Sequence, residues 1–175
     1  NMKTAANVFI DAINNGSNIL VYADVDTDGC SSAAIIKHYI DKLGFECSVC
    51  INKGKAHGIQ KETLEGRAFD LLIVVDSIND DTKIYEELIA SGKQLIVLDH
   101  HIPKQDVLTI AEKINLVSSA VDYINPNLSG SGVCWKFVSY IDELTGNNYA
   151  DELLDLAATG IVADVCSLGA ASMEN

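Results

Sequence analysis

The sequence is poor in positive charge: 12 Lys and Arg stand against 25 Asp and Glu, for a formal net charge of −13. That balance excludes a non-specific polyanion binder with a basic face. It does not exclude a phosphate substrate, because bound divalent cations neutralise acids and attract phosphate whatever the surrounding surface carries. Long apolar runs are also missing. The longest, Leu71 to Val75, is far short of the ~20 residues of a membrane span. The N-terminus has no basic segment followed by an apolar one, so no secretion signal is read and a cytoplasmic location is expected. Five cysteines, at 30, 47, 50, 134 and 166, form no paired framework, which fits a reducing compartment. Cys47 and Cys50 make a lone CxxC. The surrounding Phe45–Ile51 reads as a strand, however, where positions i and i+3 face opposite ways, and this argues against a redox or zinc pair. There is no internal repeat, low-complexity tract or interdomain linker.

What is present is the composition of an ordinary globular domain, 48% apolar and 21% charged over 175 residues. A chain of this length buries ~70% of its unfolded surface and needs neither disulfide nor structural metal to fold. Strand-like runs alternate with helix-length segments, the rhythm of βαβ units. The expected order is a helix from about Thr4 to Asn14, a strand Ile19–Ala23, and a helix from about Gly29 to Leu43 closed by Gly44. A strand from about Phe45 to Ile51 and a polar loop with Gly54 and Gly58 follow. Next come a strand Leu71–Val75, a helix from about Asp80 to Ser91, and a strand Gln94–Leu98. A short strand Ala120–Ile124 then leads to two helices, about Gly132–Leu144 and Tyr149–Ala163. The expected fold class is therefore α/β: a single domain with a mainly parallel sheet of about five strands and helices on both faces. The chain stops at Met173-Glu-Asn175 without a terminator, as expected of one domain, residues 1–175, cut from a longer protein.

The chemistry lies where acids and histidines meet the strand ends. Asp24, Asp26 and Asp28 follow the first strand, Asp76 follows the third directly, and Asp99-His100-His101 follows the fourth. In an open parallel sheet the strand C-termini share one edge, where ligands bind. Alternation along an extended strand end is expected to point the first three acids the same way. One Asp at a strand end is more often a turn former or helix cap; three strands delivering acids to one edge is another matter. Such carboxylates repel one another, and divalent cations remove the penalty. Bridging carboxylates with one or two imidazoles suit a pair of octahedral Mn²⁺ or Mg²⁺ ions, the nitrogen ligands favouring Mn²⁺. Two ions ~3.5–4 Å apart can activate water and clamp a phosphoryl group. Asp164, in the otherwise apolar Leu153–Val165, also needs a partner, either a cation or a capping or salt-bridge contact.

Asp24-Val-Asp-Thr-Asp-Gly29, Asp76, Asp99-His-His101 and Gly160-Ile-Val-Ala-Asp164 stand in the order of the four motifs of the DHH phosphoesterases, which the chain resembles over nearly its whole length. The RecJ-like single-strand exonuclease branch is the nearest in pattern. His57-Gly58-Ile59, Asn125-Pro-Asn127 and Ser129-Gly-Ser-Gly-Val133 add to the likeness. The resemblance implies a metal-dependent phosphodiesterase cleaving single-stranded nucleic acid, with two Mn²⁺ ions, or Mg²⁺, as cofactors. It implies metal-ligand roles for Asp26, Asp28, Asp76, His100 and Asp164, with Asp76 shared between the ions and Asp24 a ligand or a neighbour of one. Asp99 would orient a histidine or a water, and His101 would contact the scissile phosphate or the leaving oxygen. Lys53, Lys55, His57 and Gly58 would meet a neighbouring phosphate, and Ser131 and Gly132 would offer backbone N–H groups at a helix start. Tyr22 stands where several small-substrate branches carry a metal-binding histidine, and Lys53 where an arginine is usual. The resemblance implies a second, C-terminal substrate-binding domain, which is expected to lie outside these 175 residues.

Three rival readings remain open at this point. One is hydrolysis of short oligonucleotides or cyclic dinucleotides. Another takes Asp26-Thr-Asp-Gly29 as an aspartyl nucleophile motif of the haloacid-dehalogenase type, leaving the histidines unexplained. The last is a DHH-like scaffold without chemistry.

Overall fold

The computed structural model describes residues 1–54, 57–122, 125 and 127–168. Five strands, β1 (Ile19–Ala23), β2 (Ser48–Ile51), β3 (Leu71–Val75), β4 (Gln94–Asp99) and β5 (Leu116–Ser118), form one sheet. The order is β2-β1-β3-β4-β5 and every neighbouring pair is parallel. The expected α/β class and strand count hold. Chain direction across the sheet reverses between β1 and β3, and the ends of these strands flank the crevice where an open α/β sheet takes its ligands.

Side-chain alternation along the strands divides the interior in two. Ile19, Val21, Ala23, Leu71, Ile73, Val75, Ile96 and Leu98 face a core built with α1 (Met2–Asn14), α2 (Thr27–Lys42), α7 (Gly130–Thr145) and α8 (Leu154–Ala163). Leu20, Tyr22, Leu72, Val74, Leu95 and Val97 face the other core. That side is covered by α3 (Lys61–Leu64), α4 (Lys83–Ala90) and α5 (Gln105–Leu108). Central strands buried on both faces explain why Leu71–Val75 reads as a continuous apolar run. Cys47, just before β2, packs toward the first core and Cys50, within it, toward the second, so the two thiols do not face each other as a pair.

Two boundaries differ from expectation. Ser119–Asp122 is a short helix, α6, and the strand lies just before it at Leu116–Ser118, paired with Val97, Leu98 and Asp99. An edge strand of three residues is too short to show an alternating pattern. Residues 123 and 124, the end of the expected strand, lie outside the described residues, as do Lys55 and Pro126. The second strand is also shorter, starting at Ser48 rather than Phe45.

Close helix approach on the first face depends on two glycines. A Cβ on Gly130 would stand 2.8 Å from Asp76 Oδ1, and one on Gly160 would overlap Ser131 Oγ and Asp28 Oδ1. The end of α8 is further fixed through its N-terminal connection. Asp142 accepts hydrogen bonds from the Tyr39 hydroxyl and from the Tyr149 and Ala150 N–H groups, each at 2.7 Å. These last two open the 3₁₀ turn Ala150–Leu153 that leads into α8. Gly160→Ala is expected to destabilise the fold by about 1–3 kcal/mol through overpacking. Urea unfolding checks this, and an unchanged midpoint would contradict the packing described.

Candidate metal centre

The carboxyl edge of the sheet gathers Asp24, Asp28, Asp76, Asp99, His100 and His101, with Asp164 arriving from the end of α8. Each acid reaches it by a different local device. Asp76 directly follows β3 and adopts φ 51°, a left-handed conformation that aspartate tolerates better than most residues. Its N–H donates to Leu98 O at 3.0 Å, so the chain turns out of the strand while staying tied to β4. Asp28 lies in the first turn of α2, and its carboxylate accepts the Gly130 N–H at 2.6 Å and the Ser131 N–H at 3.0 Å. The N-terminus of α7 thus holds this carboxylate in place, where unpaired N–H groups and the helix dipole favour an anion. Asp26 is different: it is exposed, caps α2 and accepts the Gly29 N–H at 2.9 Å. The expected common orientation of Asp24, Asp26 and Asp28 fails because the helix begins at Thr27, and only Asp24 and Asp28 are buried.

His100 stands at the centre. Its Nε2 is 3.2 Å from Asp76 Oδ1 and 4.0 Å from Asp28 Oδ2, and its Nδ1 is 3.7 Å from Asp164 Oδ2. Donor atoms of Asp76, His100 and His101 lie within 4.8 Å of one another, and so do those of Asp28, His100 and Asp164. Asp99, wholly buried, uses both oxygens: Oδ2 accepts the Ile78 N–H at 2.7 Å, while Oδ1 takes the His101 N–H and pairs with His101 Nδ1, both at 2.8 Å. Asp24 Oδ1 accepts the Val25 N–H, and its Oδ2 meets His57 Nδ1 at 3.1 Å. The His57 and His101 rings approach to 5.2 Å, and those of His100 and His101 to 4.4 Å.

One atom of this cluster stands apart. Asp76 Oδ1 is buried without a hydrogen bond of acceptable geometry, although a buried carboxylate normally recruits several donors. Burial pushes the Asp76 carboxyl up to about 7, with the Asp28 and Asp99 charges adding to the rise and His100 opposing it. The Asp99 hydrogen bond raises His101 to about 9. For His100, burial works against the charged form, but contact with Asp76 outweighs it and the net shift is upward. Burial also works to raise Asp99, yet the hydrogen bonds and charge of His101 hold it below the usual carboxylate range. Crowded buried oxygens with imidazoles beside them are a donor set that fits hard divalent cations with some tolerance for nitrogen.

The remaining expected residues divide. Ser131 and Gly132 do not offer free N–H groups: Ser131 donates to Asp28, Gly132 to Ser129 Oγ at 3.3 Å, and the Ser131 hydroxyl to Ala157 O at 3.1 Å. In this structure the helix start is occupied by the Asp28 carboxylate rather than open as the phosphate cradle expected of these two residues. Gly58, at φ 89°, and His57 lie beside the cluster, whereas Lys53 is exposed and held through its backbone by Gln60. Sequence reasoning missed the anchors of this loop. The Tyr22 hydroxyl donates to Gly58 O and accepts the Gln60 N–H, Ser77 Oγ accepts the Gly58 N–H, and Asn79 Oδ1 accepts the Ile59 N–H. It also missed Cys166, whose thiol lies 3.4 Å from Asp164 Oδ2. Ser77 and Asn79 were detectable as polar residues just beyond a buried strand; the contacts of Tyr22 and Cys166 are tertiary.

A parallel α/β domain with acids and histidines collected at its switch point defines the class. The model of the DHH family, N-terminal domain, matches residues 18–161, and the chain belongs to that family. The SPbeta prophage-derived protein YorK of Bacillus subtilis (strain 168), which carries the name of a single-strand DNA-specific exonuclease, is 33% identical over 168 residues, 94% of this chain and 28% of its own length. The single-stranded-DNA-specific exonuclease RecJ of the same organism is 30% identical over 176 residues, 95% of this chain and 21% of its own length. A crystal structure of exonuclease RecJ bound to manganese superposes with a TM-score of 0.82 at 27% identity, over 98% of this chain and 45% of that one. RecJ from Thermus thermophilus with Mn²⁺ gives 0.78 at 30% identity, over 95% of this chain and 24% of that one. The chain therefore spans about a quarter of the length of these curated relatives. Membership in this family sets aside the aspartyl-nucleophile reading of Asp26. Among the described residues no helix is long and apolar enough to cross a membrane.

The protonated groups give the centre a pH signature. Below about pH 7 Asp76 retains a proton that a cation must displace, and the upward shift of His100 toward its charged form acts in the same direction. Affinity for Mn²⁺ is therefore expected to rise from about pH 6 to about pH 8, by about tenfold per unit for each proton displaced. Calorimetric titration in buffers of different ionisation enthalpy checks both affinity and proton release; a flat profile would contradict the assignment.

Proposed function

We propose that this chain carries the catalytic centre of a divalent-metal-dependent phosphodiesterase acting on single-stranded nucleic acid, in the manner its RecJ relatives are named for. The observation that carries the reading is the buried Asp76 Oδ1, which has no hydrogen bond of good geometry and stands 3.2 Å from His100 Nε2 in a cluster with Asp28, His101 and Asp164. Asp28, Asp76, His100 and Asp164, with Asp24 beside them, would hold divalent cations, Mn²⁺ or Mg²⁺, and two such ions would both draw on Asp76; Asp26, which caps α2 at the surface, would join them only by leaving that cap. Bound there, the cations would supply an activated water and offset the charge of the phosphoryl group.

The chain's own residues do the rest. Asp99 fixes the His101 ring through its Nδ1 and holds the imidazole protonated, leaving Nε2–H to donate to a phosphoryl or leaving-group oxygen. A buried carboxylate that orients a histidine in this way sets its tautomer as well as its angle. His57, braced against Asp24 and the His101 ring, lies where an adjoining phosphate would pass, and the Lys53 ammonium adds a point charge to the same loop. Tyr22 cannot serve as a ligand, because its hydroxyl is spent on Gly58 and Gln60.

In the full natural chain, Asp76→Ala is expected to abolish Mn²⁺-dependent cleavage of a single-stranded oligonucleotide. His101→Gln should lower kcat by about 10²–10⁴. Release of nucleotides from an end-labelled oligomer measures both, and an Asp76→Ala enzyme of undiminished activity would refute the assignment.

A further inference from the structure

Beside the acid cluster, on the side away from α7 and α8, lies a cleft of about 410 Å³. Its walls are His57, Ile78, Asn79, His101, Ile102 and Pro103, and Asp80, ion-paired to Lys104 at 2.8 Å, stands at its edge. The volume falls within the range of small-ligand sites. No substrate contact assigned above uses Ile78, Asn79, Ile102 or Pro103, although the Ile78 N–H holds Asp99 and Asn79 Oδ1 holds the Ile59 N–H.

The chemistry of the walls is specific. Ile102, immediately after His101, is 89% exposed, the most exposed large apolar side chain among the described residues. Pro103 is buried, and a residue that precedes proline is confined to extended backbone, which keeps Ile102 from folding back into a helical turn. On the opposite wall the Asn79 amide has a fixed orientation. The Ile59 N–H donates to Oδ1 at 2.9 Å, so that atom is the oxygen and Nδ2 remains a donor without a partner among the described residues. The Asn79 backbone N–H is in turn given to the Tyr85 hydroxyl at 2.9 Å, which anchors the wall to the core. At the inner end stand two imidazoles, His57 and His101, the second of which reaches to 3.7 Å from Asp76 Oδ1.

A flat ligand with an apolar face and an acceptor at its edge, joined to a phosphate lying at the acid cluster, matches these walls. We propose that the cleft is a nucleobase subsite. The base of the nucleotide bound at the acid cluster packs between Ile102 and the His57 ring, and Asn79 Nδ2 donates to a carbonyl or ring nitrogen of the base. Every base presents a π-face and an acceptor, so the site selects for the presence of a base and tolerates its identity. The inference rests on the phosphodiesterase reading above and adds to it that the enzyme engages the base as well as the phosphates.

The test uses the full natural chain and two single-stranded DNA oligomers, one of them abasic at both terminal nucleotides. Binding is measured by fluorescence polarisation with Ca²⁺ in place of Mn²⁺, and cleavage is measured separately with Mn²⁺. The base-bearing oligomer is expected to be favoured about tenfold in Kd and in kcat/KM. Ile102→Ser, at an exposed position, should bring both ratios close to one, and Ile102→Leu should keep them. Wild-type protein that treats the two oligomers alike overturns the subsite, and so does a preference that survives in Ile102→Ser. A binding preference lost in Ile102→Ser but without cleavage of either oligomer supports the subsite and overturns the hydrolytic reading alone.

Discussion

A buried carboxylate oxygen without a well-formed hydrogen bond is costly for a fold to retain, and Asp76 Oδ1, 3.2 Å from His100 Nε2, is such an atom. The architecture around it works to keep it there. Asp76 is turned out of β3 through a left-handed backbone conformation and tethered to β4. Gly130 lets the start of α7 come within contact of its side chain, and Gly160 does the same for α8 against Asp28 and Ser131. A residue with a Cβ at either glycine would force these elements apart. At Asp76 stability is given up at the ligand-binding edge of the sheet.

The other acids show by contrast what a structural carboxylate looks like. Asp142 accepts three donors and Asp99 accepts the Ile78 and His101 N–H groups besides its pairing with the His101 ring. Asp28 is intermediate: both of its oxygens are bonded by the start of α7, yet Oδ2 also faces His100. The edge is thus graded, from fully satisfied acids that hold the geometry to a poorly satisfied one, Asp76, beside His100. The same grading separates the two histidines, since His101 is locked to Asp99 whereas His100 lies between Asp76, Asp28 and Asp164.

The sequence made the sheet legible because β1, β3 and β4 are buried on both faces and therefore read as unbroken apolar runs, each ending directly at an acid. It made the convergence of Asp24, Asp76 and Asp99-His100-His101 legible for the same reason, since parallel strands end at one edge. It could not show where α2 begins, so Asp26 reads as equivalent to Asp24 and Asp28 although it caps the helix at the surface. Nor could it show that Asp28 fills the start of α7, where the Ser131 N–H is bonded to it and the Gly132 N–H to Ser129 Oγ. Those facts are tertiary, set by which helix start meets which carboxylate. The three-residue β5 escaped because it is too short for a period, and the Tyr22 anchor escaped because a buried tyrosine in a strand reads only as core.

The central claim is that the unsatisfied edge exists to hold divalent cations. Anomalous scattering from crystals of this protein grown with Mn²⁺ tests it directly. The account predicts anomalous density bounded by Asp28, Asp76, His100 and Asp164, in two peaks with the Asp76 carboxylate between them. Density at other surface acids with none at this edge would contradict it.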